Sequence, residues 1–185
     1  LKISRRNERG RLKNLKLFKQ ENQRFYEADV THDVARYWII VVLIAFSEAL
    51  LNAHFFSIGN MMGLVGGALS SIIVSVANIG ISLAAGYFTI KYFYSIKPVK
   101  RIVFAFIGFG LLEFIIIHFN LAVAHFRASL PLGLTNALKS SMDILFSNPY
   151  TISNFDSAVL LVIGLLFAHF AIWKGFKYND HYPGY

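Results

Sequence analysis

The sequence predicts an all-α integral membrane protein: four transmembrane helices in a bundle, an N-terminal amphipathic juxtamembrane helix, and a short amphipathic helix in an outer loop. Three observations predict it. The apolar residues come in long unbroken runs, the pattern of lipid-facing helices rather than of one globular core. Only 15% of the 185 residues are charged against 56% hydrophobic, with a mean hydropathy of +0.52; a soluble domain carries about a quarter charged residues. Finally, the net charge of +8 is confined to the flanks of the apolar runs. That is a topology signal and not a nucleic-acid patch, so a nucleic-acid partner is not expected.

Residues 1–35 are a basic, amphipathic cytoplasmic segment. Arg5, Arg6, Arg9, Arg11, Lys13 and Lys16 stand among acids, while Leu12, Leu15, Phe18, Phe25 and Tyr26 recur at three- to four-residue spacing. Such a helix lies on an anionic lipid surface or on a cytosolic partner protein. It offers these six basic side chains as the contact. No signal peptide is expected, because this polar stretch precedes the first apolar run. The chain opens on Leu1 and stops at Pro183-Gly184-Tyr185, and reads as a segment that continues at one end or both.

The membrane domain covers 36–178, with spans at about 37–56, 62–90, 102–124 and 157–173. Tyr37 and Trp38 stand where an interfacial aromatic belt belongs. Ser57-Ile58-Gly59-Asn60 turns the chain into the second span, which is longer than one crossing needs and calls for tilt or a cytoplasmic extension. Lys91, Lys97, Lys100 and Arg101 make the next loop basic. The connection 128–156 holds an amphipathic helix, Leu134 to Phe146, with Leu134, Leu138, Met142, Leu145 and Phe146 on one face. Thr135 or Asn136 is the expected cap, and Ser147-Asn148-Pro149 the stop. The fourth span is short. Residues 179–185 form a cytoplasmic tail. Lys and Arg counts put both termini in the cytoplasm of a plasma or bacterial inner membrane, with the first and third connections outside.

Polar residues inside the spans carry the functional signal. Glu48 is twelve residues beyond Arg36, and Glu113 is twelve beyond Arg101. At 1.5 Å per residue each carboxylate lies about 18 Å past its basic anchor, so the two are expected at matched depth. An ionised side chain at the bilayer centre costs roughly 2.5–3.5 kcal/mol on insertion scales and needs a reason. Glu48 and Asn52 share one helix face, and Glu113 and Asn120 another. His54 and His118 follow two turns outward. The face of His118 and His125 is turned about 140° from Glu113, so a site joining Glu and His has to be built between helices. Two like acids near one another are resolved by a shared proton or a bound cation. The ion or proton path candidates are therefore Glu48, Asn52, Glu113, Asn120, His54 and His118. The plainer reading is that these groups bond one another and fix helix register.

Gly63, Gly67, Ser71 and Ser75 recur every four residues, with Asn78, Ser82 and Gly86 on a neighbouring stripe. The glycine pair is a close-packing motif within one bundle or between subunits, and points to a homo-oligomer or larger complex. Haem or a metal held by His54, His118 or His125 is a further option, against which stands the lack of any HxxxH or ExxH pair. With no cysteine there is no thiolate site. No catalytic residues, phosphate-binding glycine loop, nucleophile elbow or zincin motif is found, which argues against a conventional enzyme. The function these residues predict is a channel-like subunit that forms or gates a proton or small-cation path, as a pore-forming effector or sensor. The alternatives are an anchor or assembly platform for a cytosolic partner, and a histidine-ligated haem or metal membrane enzyme.

Overall fold

The computed structural model describes residues 2–21, 34–95 and 97–179, which are helical and contain no strand. They fall into two units. The first contributes α1, Lys2–Glu21. Its Leu12, Leu15, Leu17 and Phe18 are exposed, as are Arg11, Lys13 and Lys16. The side chains of Arg5, Arg6 and Arg9, and all of Phe25 and Tyr26, lie outside the described residues.

The second unit, 33–179, holds four stretches long and apolar enough to cross a membrane: Val34–Ser57, Gly63–Tyr94, Pro98–Leu132 and Phe155–Tyr178. α2 is Val34–Ser57. It stops at a turn where Gly59 takes φ +84°, a conformation open to glycine. α3 is Gly63–Phe88, prolonged by a 3₁₀ turn, Ile90–Tyr94. α4 is the single turn Pro98–Lys100, followed by a π-helical segment, Arg101–Gly108, and by α5, Phe109–Ser129. A 3₁₀ turn, Leu130–Leu132, leads to α6, Leu134–Ser147, and then to α7, Phe155–Asn179. Three of the apolar helices therefore run well past the ends read from the sequence. Apolar runs mark only the part of a helix that needs an apolar environment, and the polar last turns continue the same hydrogen-bond ladder.

α3 is the hub, packing against α2, α5 and α7, while α7 also touches α2 and α5. Small residues let it do so. A Cβ on Gly67 would lie 2.7 Å from the Ala53 carbonyl, and one on Gly86 would collide with the Ile172 carbonyl of α7. The Ser71 hydroxyl donates to the Ala49 carbonyl, and Ser75 is buried beside it along the stripe. Gly63 does not belong to this ladder. It has φ +57° and no neighbour within 4 Å of its notional Cβ, so it starts α3 rather than packing it.

The apolar core is discontinuous. One cluster joins Phe56, Val123, Leu130, Ala137 and Leu160, a second Ala85, Ile116, Ala168 and Ile172, and a third Val41, Ile79 and Ala171. Polar side chains occupy the space between them.

One expectation about α6 fails. Its N-cap is Gly133 at φ +86°, with no side-chain cap, in place of Thr135 or Asn136. The positive φ already turns the chain, so no side-chain oxygen is placed over the first amides. The helix itself lies where the sequence places it, and of its large apolar face Leu134, Leu138, Met142 and Phe146 are exposed. α6 packs against α5 through Ala137 and Ser141, because small side chains allow the closer helix contact.

Candidate functional site

The interior polar cluster is built by one residue from each of four helices. Glu48 of α2, Asn78 of α3 and Asn120 of α5 are each at most 1% exposed. Asn78 Nδ2 donates to Glu48 Oε1 at 2.9 Å and to the Gly164 carbonyl of α7 at 2.8 Å. Asn120 Nδ2 donates to Asn78 Oδ1 at 2.9 Å and to the Ile116 carbonyl one turn back, also at 2.9 Å. Gly164 lets α7 come this close: a Cβ there would collide with Asn120 Oδ1.

The direction of every bond in this chain is fixed by chemistry. A carbonyl only accepts, so the Asn120 atom facing Ile116 is the NH₂ group, and the one facing Gly164 belongs to the Asn78 NH₂. Asn78 therefore turns its oxygen to Asn120 and its nitrogen to Glu48. Glu48 Oε1 is an acceptor and has no role as a donor there.

Other buried polar atoms have no protein partner. They are Glu48 Oε2, both amide atoms of Asn52, the hydroxyls of Ser75, Ser82 and Ser157, and Glu113 Oε2. Asn52 lies one turn from Glu48 on α2. Ser71, Ser75, Asn78 and Ser82 run along one side of α3, and Ser71 and Asn78 each reach across to α2. The seam between α2 and α3 is thus lined by polar groups, some paired and some not.

Glu113 does not join this cluster. Its Oε1 lies 3.0 Å from His169 Nε2 on α7, with side chains 22% and 58% exposed respectively. His169 Nδ1 faces the Leu165 carbonyl at 2.7 Å and must donate to it. The Nε2–Oε1 contact is an ion pair when His169 carries its second proton. The apolar cluster containing Ile116 and Ala168 lies beside this pair on the same two helices.

The matched depth of Glu48 and Glu113 is therefore overturned. Through Asn78, the carboxyl of Glu48 stands level with Asn120, seven residues beyond Glu113, or about 10 Å along a helix. Part of the difference lies in the backbone between Arg101 and Gly108, where bonds from i to i+5 make a wider turn that advances less per residue, and the rest in Arg36 and Arg101 not starting from one level. The expected shared face of Glu113 and Asn120 holds: both turn toward α7, Asn120 against Gly164 and Glu113 against His169, about two turns apart.

The histidines go separate ways. His54 is exposed. His118 Nδ1 donates to the Phe114 carbonyl at 2.9 Å, and its ring lies 3.8 Å from that of Phe114. His125 is buried, with Nε2 donating to the Pro149 carbonyl at 2.8 Å. They do not converge on a common ligand, and among the described residues no three His, Asp or Glu side chains group together. Arg127 is buried as well. It bonds the Phe55 carbonyl, Asn154 and, at 2.6 Å, Asp156, tying the ends of α2, α5 and α7.

Asn78, Gly164 and His169 are the site residues that sequence reasoning left out of its site. A signal for the first two exists. Asn78 is an amide inside an apolar run, as Asn52 and Asn120 are, and Gly164 is the one glycine between Ala158 and Trp173. No protein-family model, no curated protein and no solved structure matches the chain, so its residues alone carry the functional argument.

Proposed function

We propose that the protein is a four-span membrane-bundle subunit, with both ends of the bundle domain in the cytoplasm, in which Glu48 holds or passes a proton or small cation. The observation that carries this reading is the fully buried carboxyl of Glu48, bonded on one oxygen and unbonded on the other. A buried polar atom left without a partner costs about 1–3 kcal/mol. Four such atoms at Glu48, Asn52 and Ser75 add up to about the whole stability of a typical domain, 5–15 kcal/mol. A hydrogen-bonding occupant, whether water, a proton carrier or a cation, removes that penalty.

Membrane insertion is supported by the four apolar helices and by the large side chains they turn outward, among them Leu43, Phe46, Ile73, Phe106 and Leu111. The basic residues Lys97, Lys100, Arg101, Lys174 and Lys177 mark the cytoplasmic end. Arg127, on the other side, is matched by Asp156 and does not weigh against this orientation.

Reconstitution in liposomes tests the function. The wild type is expected to dissipate an imposed proton or cation gradient, and Glu48→Gln to abolish that flux with the assembly intact. Equal flux from both proteins sinks the reading.

A second reading, a membrane platform for a cytosolic partner, is favoured by α1, which forms its own unit and exposes apolar and basic side chains together. Deleting residues 1–30 separates the two. The platform loses partner recruitment and the path keeps its conductance.

A further inference from the structure

We propose that the group Glu48 exchanges is a proton, that it leaves and enters only through Oε2, and that its route is the α2–α3 seam past Asn52 and Ser75. The proposal rests on the reading of Glu48 as the site of a proton or cation path. It adds the identity of what is carried, the atom that carries it and the direction of access.

The bond polarity of the amide chain decides the atom. The Ile116 carbonyl fixes Asn120, Asn120 fixes Asn78, and the Gly164 carbonyl independently demands the same orientation of Asn78. Two backbone acceptors at opposite ends of the chain thus force an N–H onto Glu48 Oε1. A proton on Oε1 would face another hydrogen, so a protonated Glu48 carries it on Oε2. Asn78 cannot relay it, since it already gives both N–H groups and accepts at its oxygen, which leaves no site to pass a proton through. Asn78 and Asn120 act as a clamp that aims the carboxyl.

The seam decides the route. Oε2 is buried and unpartnered, and so are Asn52 Oδ1, Asn52 Nδ2 and Ser75 Oγ. Ser75 lies on α3 between two residues that already reach α2, Ser71 and Asn78, so its hydroxyl belongs to the same seam. A hydroxyl and an amide oxygen can each accept from Oε2–H through one bridging water. Serine also gives its own proton onward, which moves one O–H bond from carboxyl to hydroxyl while the hydroxyl's proton leaves on the far side. Ser82, one turn beyond Asn78, has the same unpartnered hydroxyl but stands on the other side of the clamp.

The donor set favours a proton over a metal cation. One oxygen of Glu48 faces an N–H, which repels a cation, and the Asn78 oxygen is taken by Asn120. Three oxygens remain on the seam: Glu48 Oε2, Asn52 Oδ1 and Ser75 Oγ. Hard cations ask for about six. Glu48 bonds Asn78 on α3, with Asn120 of α5 behind it, and Asn52 lies one turn away on its own helix, as Ser75 does from Asn78 on α3. No charged side chain among the described residues bonds to it.

The test uses the full chain in liposomes, with proton flux read by an internal pH dye and sodium and potassium flux read separately. Ser75→Ala and Asn52→Leu are each expected to lower proton flux about tenfold, the worth of one hydrogen bond in a path. Infrared spectroscopy supplies a second readout that packing alone does not move. The carboxylic acid band lost in Glu48→Gln identifies Glu48, and its hydrogen–deuterium exchange should slow about tenfold in Ser75→Ala for the same reason. If Glu48→Gln abolishes flux while Ser75→Ala, Asn52→Leu and the exchange rate match the wild type, the route is wrong and the Glu48 reading stands. Flux carried by sodium or potassium at constant pH overturns the proton, as does working flux with no acid band from Glu48. Unchanged proton and cation flux in Glu48→Gln removes both.

Discussion

Glu48 and Glu113 are the two carboxylates that the sequence presents as twins, and the fold treats them as opposites. Glu48 meets only amide and hydroxyl chemistry. It sits where four helices converge, its orientation set by backbone carbonyls two residues away in the bond chain. Glu113 is partly exposed, with Oε1 against one histidine and Oε2 buried without a protein partner. The first is held rigidly by groups that cannot take its proton. The second is paired with a histidine, lies beside an apolar cluster and stands about 10 Å along the bundle from the first. Position between helices, and not position in a sequence word, decides what a buried acid can do.

The contrast predicts unequal mutational costs. The largest is expected at the clamp. Asn78→Leu removes the donor to Glu48 and Gly164 and the acceptor of Asn120, three bonds together worth about 3 kcal/mol of stability. Thermal unfolding in detergent measures it, and a wild-type transition would break the claim that Asn78 organises the interior. Gly164→Ala comes next. Its methyl collides with Asn120, and overpacking of this kind costs about 1–3 kcal/mol. Combined with Asn120→Ala, which vacates the space, much of that cost should vanish, since close neighbours couple.

Glu48→Gln should hardly alter stability, with a change under about 1 kcal/mol. Gln keeps an acceptor for Asn78 and places its NH₂ where Oε2 stands. The effect belongs in flux, so a variant that unfolds would show that Glu48 matters for structure first. Smallest is Glu113→Gln. A half-exposed pair is worth about 0–1 kcal/mol, and both stability and Glu48-dependent flux should remain near wild type. Equal losses of flux from the two Gln variants would restore the symmetric two-carboxylate layer that the bond network argues against.

Much of this was legible before any coordinates. The four apolar runs, the tight turn at Ser57–Asn60, the helix from Leu134 and the packing role of Gly67, Ser71 and Ser75 follow from local pattern, and the helices found at these places match it. Glu48, Asn52 and Asn120 stand out because polar groups in apolar runs need partners. Asn78 was equally visible as a residue, yet its place in a stripe of small side chains made it look like packing.

The order of residues sets the helices and the short inventory of polar groups that an apolar interior cannot leave alone. Hydrophobic run length and turn chemistry are local, so they survive in one dimension. Partners are not local. Only the tertiary structure could put Asn78 rather than Glu113 beside Glu48, pair Glu113 with His169 of another helix, and turn the large face of α6 outward. The π-helical segment shows why counting residues from a basic anchor misleads. A change in helix pitch shifts every later side chain in both level and angle, and whether two groups bond depends on a few ångströms that no spacing rule preserves.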